Sequence, residues 1–404
     1  MEYVFTERAH LMCPAMCFGT VMSMDRELNE NRIRDTVREL SLAHPFLRAL
    51  LSHNEKEDRY YYDVKDSSQV LTTICHEEIR GIDAPEILRV YEGITGKEFD
   101  LCKEGMLIVT AWPASGKTIV LMVFHHLLAD GRGALQLTKE FADCYVFGRK
   151  PAFAQEKLIS SAEEFPKDSG LSFVSRMLVR YANRQWKKES RRLSYGEYHH
   201  LADEFLAADQ VKHRLSVVQN REMSELSDRC RAEGVTVNDY LLAKVFLEER
   251  TGRIVIARDL RGSLKCYRRG AMGNYSTAFS VELKRAGHDL YTAAGKVHEK
   301  VEKTSSKPSA LFLVLQCYAA LEPGLLDAAM MASRGRFESR AAGFIGRNFF
   351  HLDRAEGFSI TNLGRTESAA IEDAYFIPPA SPAMKKTLGV LTVNGRMRIC
   401  TSER

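Results

Sequence analysis

The chain has 404 residues, which predicts two domains on the usual size of about 100–200 residues per domain. Hydrophobic residues make up 45% and charged residues 27%, the composition of a globular protein that can bury a large core. The net charge of +4, from 57 basic and 53 acidic side chains, is nearly balanced and gives no reason to expect a nucleic-acid partner.

Cysteine usage and apolar segments bear on the compartment of the protein. The nine cysteines are scattered without a CxxC pair, which predicts reduced thiols, a cytoplasmic protein and no zinc site. The N-terminus has no basic segment followed by an apolar run, so we expect no signal peptide. No apolar stretch approaches about 20 residues, so we expect no transmembrane helix.

The spacing of apolar residues predicts the elements of the chain up to residue 147. They are, in chain order, a helix at 29–49 with a turn near its end at His44-Pro45, strands at 59–64, 70–74, 107–112 and 118–124, and a helix at 133–147. Residues 148–170 contain Pro151, Pro166 and many polar residues, and we expect them to cross between two halves of the molecule.

A basic segment predicted to be helical follows at 170–192. Arg176, Arg180 and Arg184 recur every four residues, and the basic run continues to residue 192. Another face carries the apolar side chains of Val174, Met177, Leu178 and Tyr181. Docking on an anionic membrane or on a carrier protein is one interpretation. The favoured interpretation is a solvated basic face on a helix that packs against the body.

The second half mixes helices and strands in the same way. Its predicted elements are a strand at 213–219, a helix at 222–233, a helix at 240–249 capped by Thr236 or Asn238, and a hairpin at 388–401 that turns at Asn394-Gly395. Because strands and helices alternate throughout, the predicted fold class is α/β with mixed, α+β-like sheets.

One segment carries chemistry: His125-His126-Leu127-Leu128-Ala129-Asp130-Gly131, directly after the strand that ends at Phe124. Neighbouring strand residues point to opposite faces, so we expect the two histidines not to serve the same ligand and one of them to pack. Gly131 and Gly133 would let the chain turn sharply afterwards. Two histidines satisfied by backbone groups are one alternative. A metal site on His126 and Asp130 is another, but no third ligand is suitably spaced, so we expect no metal.

The same segment matches the HHxxxDG motif of the chloramphenicol-acetyltransferase-like acyltransferase superfamily. The chain most resembles free-standing condensation-domain and alcohol O-acetyltransferase-like proteins of that superfamily. Further matching segments are the opening with Glu7, HPFLR at 44–48, FDL at 99–101, GVTVNDYLLA at 234–243, DLRG at 259–262, GNY at 273–275 and SITNLG at 359–364. The DFGWG signature of the plant branch is absent, which argues against that branch.

The resemblance implies two pseudo-symmetric halves, residues 1–165 and 166–404, around a central tunnel. It implies a catalytic motif with His126 as general base, accompanied by His125, Asp130 and Gly131. Asp130 either orients the histidine, as in a hydrolase triad, or pairs with Arg261, which the resemblance favours. The candidates for binding the oxyanion or lining the tunnel are Thr361, Asn362, Asn274 and Ser276.

The implied function is acyl transfer. The expected enzyme moves an acetyl or other short acyl group from acyl-CoA to a small-molecule alcohol or amine by direct attack, with no permanently bound cofactor. One alternative is condensation-type amide or ester formation from an acyl group on a carrier protein. Another is a catalytically silent recruitment module, against which the intact motif argues.

Overall fold

The fold is built on three sheets, and the computed structural model describes it over residues 2–284 and 287–404. The strands of these residues are β1 (Glu2–Tyr3), β2 (Cys17–Met24), β3 (Ala49–Asn54), β4 (Arg59–Val64), β5 (Leu71–Ile74), β6 (Leu107–Ala114), β7 (Lys117–His125), β8 (Lys212–Val218), β9 (Arg253–Asp259), β10 (Ser276–Glu282), β11 (Gly357–Thr366), β12 (Asp373–Ile377), β13 (Met384–Val393) and β14 (Arg396–Glu403).

Helices cover the sheets and form one block of their own late in the chain. They are α1 (Arg8–Leu11), α2 (Glu30–Ala43), α3 (Pro85–Thr95), α4 (Gly131–Phe147), α5 (Phe173–Glu189), α6 (Tyr195–Ala208), α7 (Asn220–Ala232), α8 (Val237–Glu248), α9 (Leu290–Ser305), α10 (Pro308–Leu311), α11 (Leu313–Ala320), α12 (Pro323–Ser333) and α13 (Arg340–Asn348). Within the described ranges, no helix is both long enough and apolar enough to cross a membrane.

A five-stranded sheet in the order β12-β2-β7-β6-β5 carries the HHxxxDG segment. Its central strand, β7, runs antiparallel to β2 and β6 and is buried from Thr118 to His125. A continuous apolar run of this kind is typical of a strand covered on both faces. The chain leaves this sheet at His125 and enters α4 six residues later, so the motif occupies the carboxyl end of a rigid central strand.

A six-stranded sheet in the order β10-β9-β11-β13-β14-β8 forms the second framework. Strand β11 lies parallel to both β9 and β13, whereas β13 and β14 form the antiparallel hairpin predicted from Asn394-Gly395. Both turn residues have positive φ angles, 49° and 83°, as a two-residue hairpin turn of this type requires. The predicted hairpin is therefore confirmed.

The late part of the chain also contributes to the first sheet. Strand β12 pairs antiparallel with β2, more than 340 residues earlier in sequence, and the buried apolar residues form two large clusters. The predicted α/β class with mixed sheets is confirmed. The boundary between residues 165 and 166 stays a prediction.

Two predicted helices differ from the observed ones for local reasons. The helix predicted at 29–49 ends at Ala43, since Pro45 disfavours helical backbone at His44, and a short 3₁₀ turn follows at Pro45–Arg48. Helix α5 lies within the predicted basic segment and packs against the body, as expected. It packs, however, through Val179, Ala182 and Trp186 rather than through the apolar side chains that the sequence analysis named.

Candidate active site

His126 is the first residue after β7, and the end of that strand sets its direction. The backbone N–H of His125 donates to the carbonyl of Met106 at 2.9 Å, and that of His126 donates to the carbonyl of Met16 at 3.1 Å. Successive side chains of a strand point to opposite faces. His125 is accordingly buried, with 1% of its surface exposed, whereas His126 lines a cavity.

His125 packs inside the sheet and does not belong to the described cavity wall. Its Nδ1 accepts a hydrogen bond from the backbone N–H of Leu127 at 3.2 Å, which leaves the ring proton on Nε2 in the neutral form. That nitrogen lies 3.9 Å from Oε1 of Glu98. The first histidine of the motif is therefore the one that packs, and its ring contacts the backbone directly after His126.

Asn274 determines which nitrogen of His126 carries the proton. Its amide nitrogen donates to the backbone carbonyl of His126 at 2.6 Å, and because a carbonyl can only accept, the amide has one orientation. The amide oxygen then lies 2.9 Å from Nδ1 of His126 and accepts its proton. In the neutral ring Nε2 is therefore unprotonated, as a general base requires.

The Asp130 carboxylate holds the loop and does not bind His126. It caps α4 by accepting from the backbone N–H of Gly133 at 2.9 Å, and it accepts from the backbone N–H of Tyr275 at 2.9 Å. Arg261 donates to both carboxylate oxygens, at 2.9 and 2.8 Å, in a largely buried bidentate pair. Of the two roles open to Asp130 from the sequence, this geometry matches the pair with Arg261 and not the hydrolase triad.

The glycines after the motif serve close packing rather than an unusual backbone conformation. A Cβ on Gly133 would lie 2.0 Å from the backbone carbonyl oxygen of Met272, so α4 begins directly against the 272–275 loop. A Cβ on Gly131 would meet the end of the Leu363 side chain at 2.6 Å. Neither glycine has a positive φ, so the sharp-turn reason given in the sequence analysis is wrong.

Two aromatic rings confine the imidazole of His126. The ring of His10 stacks on it, with centroids 4.3 Å apart and planes 21° apart, and Phe18 meets it edge-on at 5.2 Å. Burial lowers the pKa of both histidines, and the neighbouring His126 lowers that of His10 further. Sequence reasoning missed His10, because a single histidine in a four-residue helix carries no spacing signal.

Arg8 anchors the short helix that carries His10. Its Nε and Nη2 donate to the two carboxylate oxygens of Asp327 at 2.8 and 2.6 Å, and its Nη1 donates to the carbonyl of Asp58 at 3.0 Å. Arg8 and Asp327 are both buried. A helix as short as α1 is not stable alone, so these contacts keep His10 against His126.

A cavity of about 1170 Å³ opens beside His126. Its largely apolar wall includes His10, Cys13 and Thr361. Burial raises the pKa of the Cys13 thiol to about 12, so this thiol is protonated near neutral pH. Of the four oxyanion candidates from the sequence, the structure brings Thr361 to the described wall together with His126.

The other oxyanion candidates have different surroundings, and none of them belongs to the described cavity wall. Asn362 donates to Oδ1 of Asn238 at 3.2 Å and accepts from the backbone N–H of Gly364 at 2.8 Å, so its amide stabilises the irregular part of β11. Ser276 is the first residue of β10. Asn274 directs its amide at the backbone and ring of His126.

Solved structures share this fold at low sequence identity. The chain resembles the first condensation domain of the CDA synthetase with 13% identity and a TM-score of 0.62, covering 100% of this chain and 91% of that chain. It resembles polyketide synthase associated protein 5 from Mycobacterium tuberculosis with 13% identity and a TM-score of 0.57, covering 100% and 92%. It resembles the epimerization domain from the third module of tyrocidine synthetase B with 13% identity and a TM-score of 0.54, covering 99% of this chain and 88% of that chain. Identities this low establish the fold alone.

Sequence comparison supplies the family. No curated protein matches the chain. The family profile described as Condensation domain matches residues 15–257, which is more than half of the chain and includes the motif and the Asn238 segment. The protein therefore belongs to the condensation-domain family, a family of acyl- and peptidyl-transferring enzymes.

Proposed function

We propose that this protein transfers an acyl group from a thioester to a hydroxyl or amine, with Nε2 of His126 as the general base. The observation that carries the proposal is the pair of contacts from Asn274, since they leave Nε2 unprotonated on a residue of the cavity wall. A positioned general base typically contributes about 10²–10⁴-fold to a rate. Membership of the condensation-domain family supports the same class of chemistry.

In the proposed reaction, the acceptor oxygen or nitrogen attacks the thioester carbonyl carbon while its proton passes to Nε2 of His126. The resulting tetrahedral intermediate collapses, the C–S bond breaks, and the imidazolium returns the proton to the leaving thiolate. The hydroxyl of Thr361, on the same cavity wall, is the proposed donor to the oxyanion. Loss of such a donor typically costs about 2.7–4 kcal/mol of transition-state stabilisation.

The proposed donor is an acyl-CoA with an acetyl or other short acyl group. The alternative donor is an acyl group carried on a carrier protein, which would make the reaction an amide- or ester-forming condensation. The family match supports acyl transfer in general and is equally consistent with this alternative, because the matched profile is that of the condensation domain. A silent recruitment module is disfavoured, because such a module has no need of a histidine held in one tautomer.

A donor panel tests the proposal. Purified protein receives acyl-CoA thioesters of increasing chain length, and in parallel an acylated carrier protein, each with mixed alcohols and amines, and products are identified by mass spectrometry. We expect an acylated acceptor and free thiol from at least one donor class. Products from the carrier protein alone would replace acyl-CoA with the condensation alternative. No product from either class, with folded protein, would contradict acyl transfer.

A further inference from the structure

Helix α5 presents an apolar ridge to solvent. Its buried contacts come from another face, whereas five large apolar side chains remain between 38% and 71% exposed. This set, called the α5 ridge below, consists of Phe173, Val174, Met177, Leu178 and Tyr181. Contiguous apolar side chains left this exposed mark a surface that binds another molecule.

Three arginines follow one flank of the α5 ridge. Arg176, Arg180 and Arg184 recur every four residues, so they align along the helix, and all three are exposed. In the described part of the chain none of them forms an ion pair, whereas the nearby Lys187 pairs with Glu322 at 2.8 Å. An apolar helix face beside free cations is typical of helices that lie in the interface of an anionic bilayer.

The α5 ridge continues toward the cavity through aromatic contacts. Tyr181 meets Phe344 with ring centroids 6.1 Å apart, and Phe344 meets Phe349 at 6.4 Å. Phe349 and Phe350, which lie 6.4 Å apart, belong to the wall of the cavity that His126 lines. Apolar surface therefore connects the ridge with the candidate active site.

We propose that α5 docks this protein on an anionic lipid bilayer, with the α5 ridge among the headgroups and the three arginines on lipid phosphates. The exposed arginines along the ridge match the phosphates of an anionic bilayer in charge, and this match favours a bilayer as the occupant. The ridge spans about 12 Å, the rise of eight helical residues. The proposal goes beyond acyl transfer and does not depend on it, because binding to lipid is measured without turnover.

Vesicle sedimentation with the full chain tests the role of the arginines. We expect binding to vesicles of mixed phosphatidylcholine and phosphatidylserine, and little binding to pure phosphatidylcholine. Replacing the three arginines together, Arg176→Glu, Arg180→Glu and Arg184→Glu, is expected to weaken binding by at least about tenfold. The matched control makes the same charge change on the exposed face of α9 with Lys296→Glu, Lys300→Glu and Lys303→Glu, and is expected to retain most of the binding.

A second pair of variants tests the apolar contribution. Met177→Glu lies in the ridge, and Leu71→Glu lies on strand β5; both side chains are exposed, so both variants are expected to fold. We expect only Met177→Glu to weaken binding. Absence of vesicle binding by the unaltered chain, or equal losses in the two triple variants, would overturn the proposal. So would capture of an acidic carrier protein or a second copy of the chain by the ridge without any binding to vesicles.

Discussion

In this site Asn274 takes the position that the aspartate has in a hydrolase triad, and Asp130 has a different, structural role. In such a triad, an aspartate bonded to Nδ1 holds the histidine in its reactive tautomer. Here the neutral amide of Asn274 bonds to Nδ1 of His126, and Asp130 is committed to Arg261 and to two backbone N–H groups. A neutral partner fixes the tautomer without a negative charge bonded to the ring, so it stabilises the imidazolium less than a carboxylate would.

Removing the Asp130 carboxylate is expected to destabilise the fold. In Asp130→Ala, Arg261 would remain largely buried without its main partner, and such a loss typically costs about 3–5 kcal/mol. The matched control is Asp259→Ala, which removes the more exposed partner of the same arginine and should cost about 1 kcal/mol or less. Chemical unfolding measures both values. Wild-type stability in Asp130→Ala, together with lost turnover, would instead assign Asp130 a direct part in the chemistry.

The acidic limb of the pH profile is expected to lie below the usual range for histidine. Burial lowers the pKa of His126 below 6.5, and the base is active only when neutral. As pH falls, kcat/KM should therefore decrease with a midpoint below pH 6.5. Circular dichroism at each pH separates this decrease from unfolding. A midpoint at or above 6.5 for the free enzyme would argue that another group is being titrated.

At the scale of single elements, prediction succeeded where the signal was local. Strand β7 and the β13–β14 hairpin follow from an apolar run and a turn dipeptide that act within a few residues. Helix α12 was not predicted, because every residue from Leu325 to Ser333 is buried and the segment has no polar face to set a helical period. Strand β2 was not predicted either, since Gly19, Thr20 and Ser23 interrupt its apolar run.

The start of α4 gives a sharp test of element packing. Gly133→Ala would bring a Cβ within 2.0 Å of the Met272 carbonyl oxygen, so either α4 or the 272–275 loop must move. We expect a loss of stability of at least about 1 kcal/mol, as is typical of overpacking. The control is Gly295→Ala in α9, where a Cβ would meet nothing within 4 Å and helix propensity should add stability of up to about 1 kcal/mol. Thermal unfolding measures both variants. An equal change in melting temperature would contradict the close contact between Gly133 and the Met272 carbonyl oxygen.

At the scale of the whole molecule, the site depends on proximity that a single sequence does not reveal. His126, Asp130 and Arg261 could be named from motifs, because each motif has a fixed internal spacing. The stacking of His10 and the bond from Asn274, 148 residues from His126, arise only when distant segments meet. The apolar face of α5 was visible in the sequence and its docking on a membrane or carrier was one interpretation, but its exposure was not, since an apolar helix face normally predicts burial.

The shared cavity leads to an expectation about reaction order. Donor and acceptor must both reach His126, and the Cys13 thiol on the wall is a poor nucleophile because burial raises its pKa to about 12. Cys13→Ser should therefore retain most of the transfer rate, and double-reciprocal plots should intersect. Parallel plots, or a protein acylated by donor alone, would indicate a covalent intermediate.

The most direct test of the central claim is single-turnover transfer from the best donor by His126→Gln. As a matched control, His200→Gln replaces an exposed histidine on α6. If Nε2 of His126 is the general base, His126→Gln should lose about 10²–10⁴-fold in rate with its fold and donor binding intact, while His200→Gln transfers at the wild-type rate. A folded His126→Gln protein that transfers the acyl group at the wild-type rate would contradict the account.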